Sequence, residues 1–331
     1  MSHHRGHSGA MTLEATPRLI ALGETMMMFA PARAESLATA EDVGVHPGGA
    51  ESNVACHVAQ AGLSSAWVGV LGDDVLGHRI RRSIERLGVD TRWVSFDSAA
   101  PTGVYFKDPG HGVLYYRSGS AASRMSPATV ERIPLEEADV VHLSGITPAL
   151  SASCAALVET VFDRVAASSA RLSFDVNFRP SLWPEGAAAS VLRTLANRAD
   201  IVFVGRDEAQ VLWGCGTADD VRVLLPGPGR LIVKDSDIGA TEFSADGSVF
   251  EPAIPTEVLE AVGAGDAFAA GYLAALLRGE NTKGRLRAGH ERARLVLMSP
   301  SDFVAQVAST GVSAGTVAPV LPTEPRLKGP A

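Results

Sequence analysis

Cysteine is scarce in this chain: Cys56, Cys154 and Cys215 are far apart and odd in number, with no C-x-x-C pair. Neither a disulfide framework nor a zinc ribbon is expected, and the three read as reduced, mostly core thiols of a cytoplasmic protein. No apolar run approaches the roughly 18–20 residues that cross a bilayer. The opening MSHHRGHSGA lacks the apolar stretch of a secretory signal. Its His3, His4 and His7 read as a solvated tail before they read as metal ligands. Basic charge is also short. Lys and Arg number 29 against 37 Asp and Glu, a formal net charge of −8, so no basic face follows a nucleic-acid backbone. The pattern G-x-x-x-x-G-K-[ST] occurs nowhere, which excludes a Walker-type phosphate loop.

What is present is a large core. Hydrophobic residues make up 46% of the 331, too many for a disordered chain. Short, doubly apolar runs at Leu19–Leu22, 66–71, Val140–Ser144, 171–176, 201–204 and 231–234 alternate with helical patterns. The helical patterns cover 52–61, 75–87, 152–167, Ala187–Arg198 and 207–213, then about 265–278, 284–298 and 302–309. This alternation predicts an α/β fold: a three-layer α/β/α sandwich around a mainly parallel sheet. Two stretches break the pattern, 25–47 and 94–121. The second holds GVYFKDPGHGVLYYR at 103–117, two alternating runs about a Pro-Gly-His-Gly turn, which is a hairpin signal. Both read as parts of a small β-rich lid. The expected organisation is a tail over 1–16, one domain over 17–315, and a Pro- and Gly-rich tail over 316–331.

Two segments carry chemistry. In Ala261-Val-Gly-Ala-Gly-Asp-Ala-Phe-Ala-Ala-Gly271, a glycine-rich turn, Gly263-Ala264-Gly265, opens directly into a helix. Its free N–H groups and the positive helix end make an anion site. A carboxylate there, Asp266, needs a reason. A general base for an attacking hydroxyl supplies one, and simple capping of the helix supplies another. In Pro47-Gly-Gly-Ala-Glu-Ser-Asn-Val-Ala55, Gly48 and Gly49 let backbone approach a ligand, and Asn53 offers both a donor and an acceptor to sugar hydroxyls. A loop ending in a routine polar helix start fits that segment as well.

In this order, the two segments resemble the PfkB (ribokinase-like) carbohydrate kinase family, over roughly 19–307. The resemblance implies that the Gly263–Gly265 turn is an anion hole for the transferred phosphoryl group and Asp266 the catalytic base, with ATP and Mg2+ as cofactors. Finer features resemble the 2-keto-3-deoxygluconate kinase branch: GVYF at 103–106, YYRSGSA at 115–121, LSGITPA at 143–149 and FDVNFRPSLW at 174–183. That similarity implies a sugar-acid site of Gly48, Tyr105, Tyr115, Arg117, Arg179 and Asp302. It places Asn177, Lys234, Ser236, Gly239 and His290 on the nucleotide side, and links Glu208 to magnesium through water. Two arginines on a hairpin and a buried strand end are costly unless they meet an anion, whether a substrate carboxylate or an internal Asp or Glu. Strand alternation puts Tyr115 and Arg117 on one face and Tyr116 on the other.

Three positions depart from the family pattern: Glu260 stands for Asp, Gly205 for Asn and Ser236 for Gly. They bear on metal and nucleotide affinity and leave the base untouched. The expected function is ATP-dependent phosphorylation of a small sugar acid on its terminal hydroxyl. A fructokinase-like, other ketose or nucleoside kinase is the nearest alternative, and a weakly active sugar-binding protein the second. Partners are small molecules, with neither nucleic acid nor membrane. The exposed lid edge suggests a homo-oligomer joined through the lid.

Overall fold

The computed structural model describes residues 15–33, 35–258 and 262–299. The tails, the expected helix over 302–309, Asp302 and Glu260 lie outside them. Eight strands form the main sheet. In chain order they are β1 (Leu19–Leu22), β4 (Ser65–Val68), β9 (Val140–Ser144), β10 (Arg171–Asp175), β11 (Ile201–Gly205), β12 (Arg230–Asp235), β13 (Gly239–Ser244) and β14 (Gly247–Pro252). Their spatial order is β14-β13-β12-β11-β10-β9-β1-β4. The run from β12 to β4 is parallel, and β13 and β14 add antiparallel at one edge.

The parallel strands are apolar on both faces because both faces are covered. In β1, Ile20 and Leu22 enter one core while Leu19 and Ala21 enter the other. In β11, Val202 and Val204 divide from Ile201 and Phe203 in the same way, as a two-residue side-chain period requires. The first core is closed by α3 (Ala152–Ala166), α4 (Ala187–Arg198), α5 (Arg206–Trp213) and α6 (Ala218–Leu224). The second is closed by α1 (Ala50–Gln60), α2 (Val75–Glu85), α7 (Ala264–Leu277) and α8 (Thr282–Leu297). Helix α7 is buried all along Ala267–Leu277, wedged between sheet, α1 and α8. No described helix is long and apolar enough to cross a membrane.

A separate four-stranded sheet, ordered β3-β2-β7-β8, forms the lid-like part from β2 (Met26–Pro31), β3 (Val43–Gly48), β7 (Val104–Asp108) and β8 (Gly112–Tyr116). The hairpin expected around Pro109-Gly-His-Gly112 is β7–β8, closed by His111 N–H donating to the Asp108 carbonyl at 2.9 Å. Tyr105 and Tyr115 pair across it on one face, ring centroids 5.7 Å apart, while Phe106 and Tyr116 meet edge-on on the other.

Several expectations need correction. The run 66–71 is not one strand. It breaks at Gly69, and β5 (Val70–Gly72) leaves the main sheet to pair with β6 (Ser95–Asp97). The segment 94–121 therefore gives the lid only β7 and β8. The β13–β14 hairpin and α6 were not expected. Both carry exposed polar residues that read as loop. In the structure β12, the last strand of the parallel run, pairs the hairpin, and a Thr217–Asp220 capping box opens α6, whose Val221 enters the core.

Candidate active site

The carboxyl ends of β10, β11 and β12, the start of α7 and the inner face of the lid enclose a cavity of about 630 Å³. Ligands of such sheets sit at this end. Gly263, at φ +87°, occupies the left-handed region open to glycine and turns the chain into α7. The first N–H groups of the helix then face the cavity without helical acceptors. Asp266 stands in that first turn. Asn53, in the first turns of α1, donates its amide to Asp266 Oδ2 at 2.9 Å, and Asn177 reaches Oδ1 at 3.4 Å. Burial is the main force on this carboxyl and pushes its pKa up to about 7, with the Asn53 hydrogen bond opposing and Asp175 assisting. Helix α1 is itself fixed by Glu51, whose Oε1 accepts from Ser144 Oγ at 2.6 Å and Thr147 Oγ1 at 3.1 Å.

Lys234 brings a cation to the anion turn. Its ammonium lies 3.5 Å from where a Cβ on Gly265 would stand, and it pairs with Asp175 at 2.9 Å. Burial works against the ammonium, but Asp175 and Glu208 outweigh it and hold its pKa above the ordinary value. This cradle of amides and ammonium, with no side chain on Gly265 to fill it, fits a phosphate group. Glu208 is oriented by two backbone donors, Phe178 N–H to Oε1 and Gly205 N–H to Oε2, both at 2.8 Å. With both oxygens accepting amides, it fits a hold on magnesium through water and not direct ligation.

On the lid side of the cavity, Gly48 is where Tyr105 comes closest. A Cβ there would sit 2.1 Å from the phenol oxygen, so only glycine admits the tyrosine to the cavity wall. Gly49 caps α1 beside it. Tyr115 lines the cavity with Arg117, whose guanidinium carbon is 5.4 Å from the ring centre, and Tyr116 points away. Arg117 is half-buried and is met by Glu24, a buried carboxylate that also accepts from Ser120 Oγ at 3.1 Å. Arg179 lines the same cavity but is exposed, and among the described residues it pairs with no carboxylate. The two arginines thus differ. Of the two anions expected for these arginines, a substrate carboxylate or an internal Asp or Glu, Arg117 has met the internal one in Glu24, and Arg179 is open to water.

A second cavity of about 430 Å³ adjoins the first across Lys234, Ser236 and Gly265. Gly239, Ile254, Phe268 and His290 are among its walls. His290 Nε2 lies 3.1 Å from the Glu251 carbonyl, and burial lowers its pKa, so the ring is neutral. All the expected site residues among those described line one or other cavity. Sequence reasoning missed Glu24 and Asp175 as cavity groups, because their partners lie far along the chain. The one local signal for Asp175 was its place two residues before Asn177 in the 174–183 segment.

Ser236 has φ +44° and, among the described residues, is one of two non-glycine residues in the left-handed region, the other being Asn177 at +39°. The left-handed conformation costs an L-residue roughly 1–2 kcal/mol, partly offset by the greater chain entropy that glycine loses on folding. Ser236→Gly is expected to stabilise the protein by about 0.5–1 kcal/mol. Urea melts of the two proteins check this, and an unchanged or lower midpoint would show that the Ser236 side chain compensates the strain.

Comparison with known proteins follows the same lines. Residues 16–303 match the model of the pfkB family carbohydrate kinases. A 2-dehydro-3-deoxygluconokinase of Thermoproteus tenax is 33% identical over 296 residues, 86% of this chain and 90% of its own length. A probable fructokinase-5 of Arabidopsis thaliana is 30% identical over 271 residues, covering 79% and 83%. The crystal structure of a PfkB protein from Polaromonas sp. JS666 superposes with a TM-score of 0.80 at 32% identity, covering 87% of this chain and 98% of that one. The chain belongs to the pfkB family of carbohydrate kinases, and its activity is that of a sugar kinase, a phosphotransferase.

Proposed function

We propose that this kinase transfers the γ-phosphoryl group of ATP to the terminal hydroxyl of a small sugar acid, converting 2-keto-3-deoxygluconate to its 6-phosphate. The observation that carries the reading is Asp266: a carboxyl with its pKa raised to about 7, in the same helix turn as an anion cradle. The sugar occupies the larger cavity, between lid and sheet. The amide oxygens of Asn53 and Asn177 are buried and have no partner among the described residues, and a polyol supplies the donors they want. The nucleotide lies along Lys234, Ser236 and His290 into the second cavity.

Asp266 takes the proton from the terminal hydroxyl as that oxygen attacks the γ-phosphorus. The bond from phosphorus to the bridging oxygen breaks, and ADP leaves with that electron pair. The Gly263–Gly265 amides and the Lys234 ammonium stabilise charge on the transferred group, and they are in place before it arrives. Magnesium, when bound, neutralises charge on the β- and γ-phosphates. Glu208, held by two amides, orders water toward it. The lid strands exclude bulk water and so limit hydrolysis of ATP.

A second reading, a fructokinase-like activity on a neutral ketose, is favoured by one observation: Glu24 already neutralises Arg117. Three buried, unpaired thiols fit a cytoplasmic setting. Leu114 and Tyr116, exposed on β8, support a homo-oligomer joined through the lid.

Asp266→Asn keeps the size and removes the base, so kcat should fall by at least ~10²-fold while the sugar Kd changes little. A near-normal kcat would remove Asp266 from the mechanism. In a coupled ADP assay, kcat/KM should be higher for 2-keto-3-deoxygluconate than for fructose or ribose. Arg179→Ala should lower it for the acid on the order of tenfold, since a hydrogen bond to a charged group contributes about 1.5–3 kcal/mol. Equal losses on acid and neutral substrates would favour the neutral-ketose reading.

A further inference from the structure

Glu24 follows β1 directly and is 3% exposed. Its carboxylate opens on the sugar cavity beside Met26 and Tyr105. One oxygen accepts from Ser120 Oγ and the other from the Arg117 guanidinium. The pair is a weak choice as mere glue for the lid. A buried ion pair is often matched or bettered by apolar packing, and apolar packing is already there in Met26, Met28 and Tyr105. The pair is also left unfinished. Arg117 Nε is buried with no acceptor among the described residues, so the guanidinium has hydrogen-bonding capacity in reserve.

We propose that Glu24 is a specificity-determining residue of the sugar pocket: as the built-in counter-ion of Arg117, it holds down the affinity for anionic substrates and leaves room for neutral ones. The physics is that of two fixed charges in one desolvated corner. An entering carboxylate is attracted by Arg117 and repelled by Glu24, and the two largely cancel at substrate distance. A neutral hydroxyl donates to Glu24, accepts from Arg117, and feels no net field. Burial raises the Glu24 carboxyl above its ordinary pKa, while the Arg117 charge and the hydrogen bonds from Arg117 and Ser120 oppose that rise. Neither residue touches Asp266 or the phosphate cradle, so the pair acts on the choice of substrate and not on the transfer. Exposed Arg179 is then the cation left uncompensated, and discrimination for or against an acid is the balance of Arg179 and Glu24.

The inference rests on the larger cavity being the sugar site, and its test is separate from the question of which sugar wild type prefers. Full-length wild type and Glu24→Gln, which keeps shape and hydrogen bonding but removes the charge, are compared on 2-keto-3-deoxygluconate and fructose. The slower substrate is measured as an inhibitor of the faster where turnover is low. The acid-to-neutral ratio of kcat/KM should rise on the order of tenfold over wild type's own ratio, ~1.4 kcal/mol, carried by a lower KM for the acid. A merely structural anchor would move both substrates together. An unchanged ratio, or one that falls, overturns the proposal. If wild type prefers fructose, the sugar-acid reading fails while the rise in Glu24→Gln still stands. Should Glu24→Gln not fold, Glu24→Asp draws the carboxylate back from Arg117 and should give a smaller rise in the same direction, and no rise there overturns the proposal equally.

Discussion

Asp266 holds a carboxyl group out of bulk water in the place where phosphate oxygens must come, and much of the surrounding structure makes that tolerable. The positive end of α7 lies under it, Asn53 and Asn177 donate to it, and Lys234 stands beside it. Even so, burial wins and lifts its pKa from 3.8 to about 7. The sign of the consequence is definite. Below about 4 the group is protonated in both folded and unfolded chains and contributes no difference. Between there and about 7 folding takes up a proton, and above that range the folded state bears the full cost of a desolvated charge. The fold therefore gives up stability at neutral pH to keep a base whose strength matches its task.

That arrangement constrains the rest of the cavity. Further uncompensated charge near Asp266 would shift it again, so the neighbouring ions come in pairs or are tied to backbone. Lys234 is balanced by Asp175, Arg117 by Glu24, and Glu208 by two amides. Arg179 is exposed and, among the described residues, pairs with no carboxylate, and its charge works with Lys234 to lower the Asp266 pKa against burial. The anion turn can then respond to an arriving polyphosphate without first breaking an unpaired ion out of its setting. Both cavities meet at Lys234 and Gly265, where, on the proposed function, a phosphoryl group would cross from nucleotide to sugar.

Much of this was legible in the chain because it is written locally. Strands β1 and β9 and helix α4 have the bounds that their hydrophobic pattern sets, since a doubly covered strand or an amphipathic helix announces itself in its own residues. The α7 turn was legible as a turn into a helix, because glycines precede an apolar helical run, while its part as a phosphoryl site came with the family resemblance and not from the turn alone. What local pattern did not carry is pairing across distance. Glu24 meets Arg117 from 93 positions away, and Lys234 meets Asp175 from 59. Without those partners, the sequence left open whether Arg117 meets a substrate carboxylate or an internal acid. The β13–β14 hairpin was missed for a related reason. Its Glu242 is fully buried against Arg285 on α8, an ion pair that no reading of β13 alone supplies.

The most direct test of the account is the pH dependence of kcat/KM for the sugar at ATP concentrations well below saturation, because that quantity reports ionisation in the enzyme with neither substrate bound. Only the ionised Asp266 can accept the hydroxyl proton. The rate constant should therefore climb with pH on a single acidic limb centred near the raised pKa of about 7, then level off. A limb near the ordinary carboxylate value of about 4, with full activity through pH 6, would contradict the account, because the group limiting catalysis would then be neither buried nor Asp266 as the structure holds it.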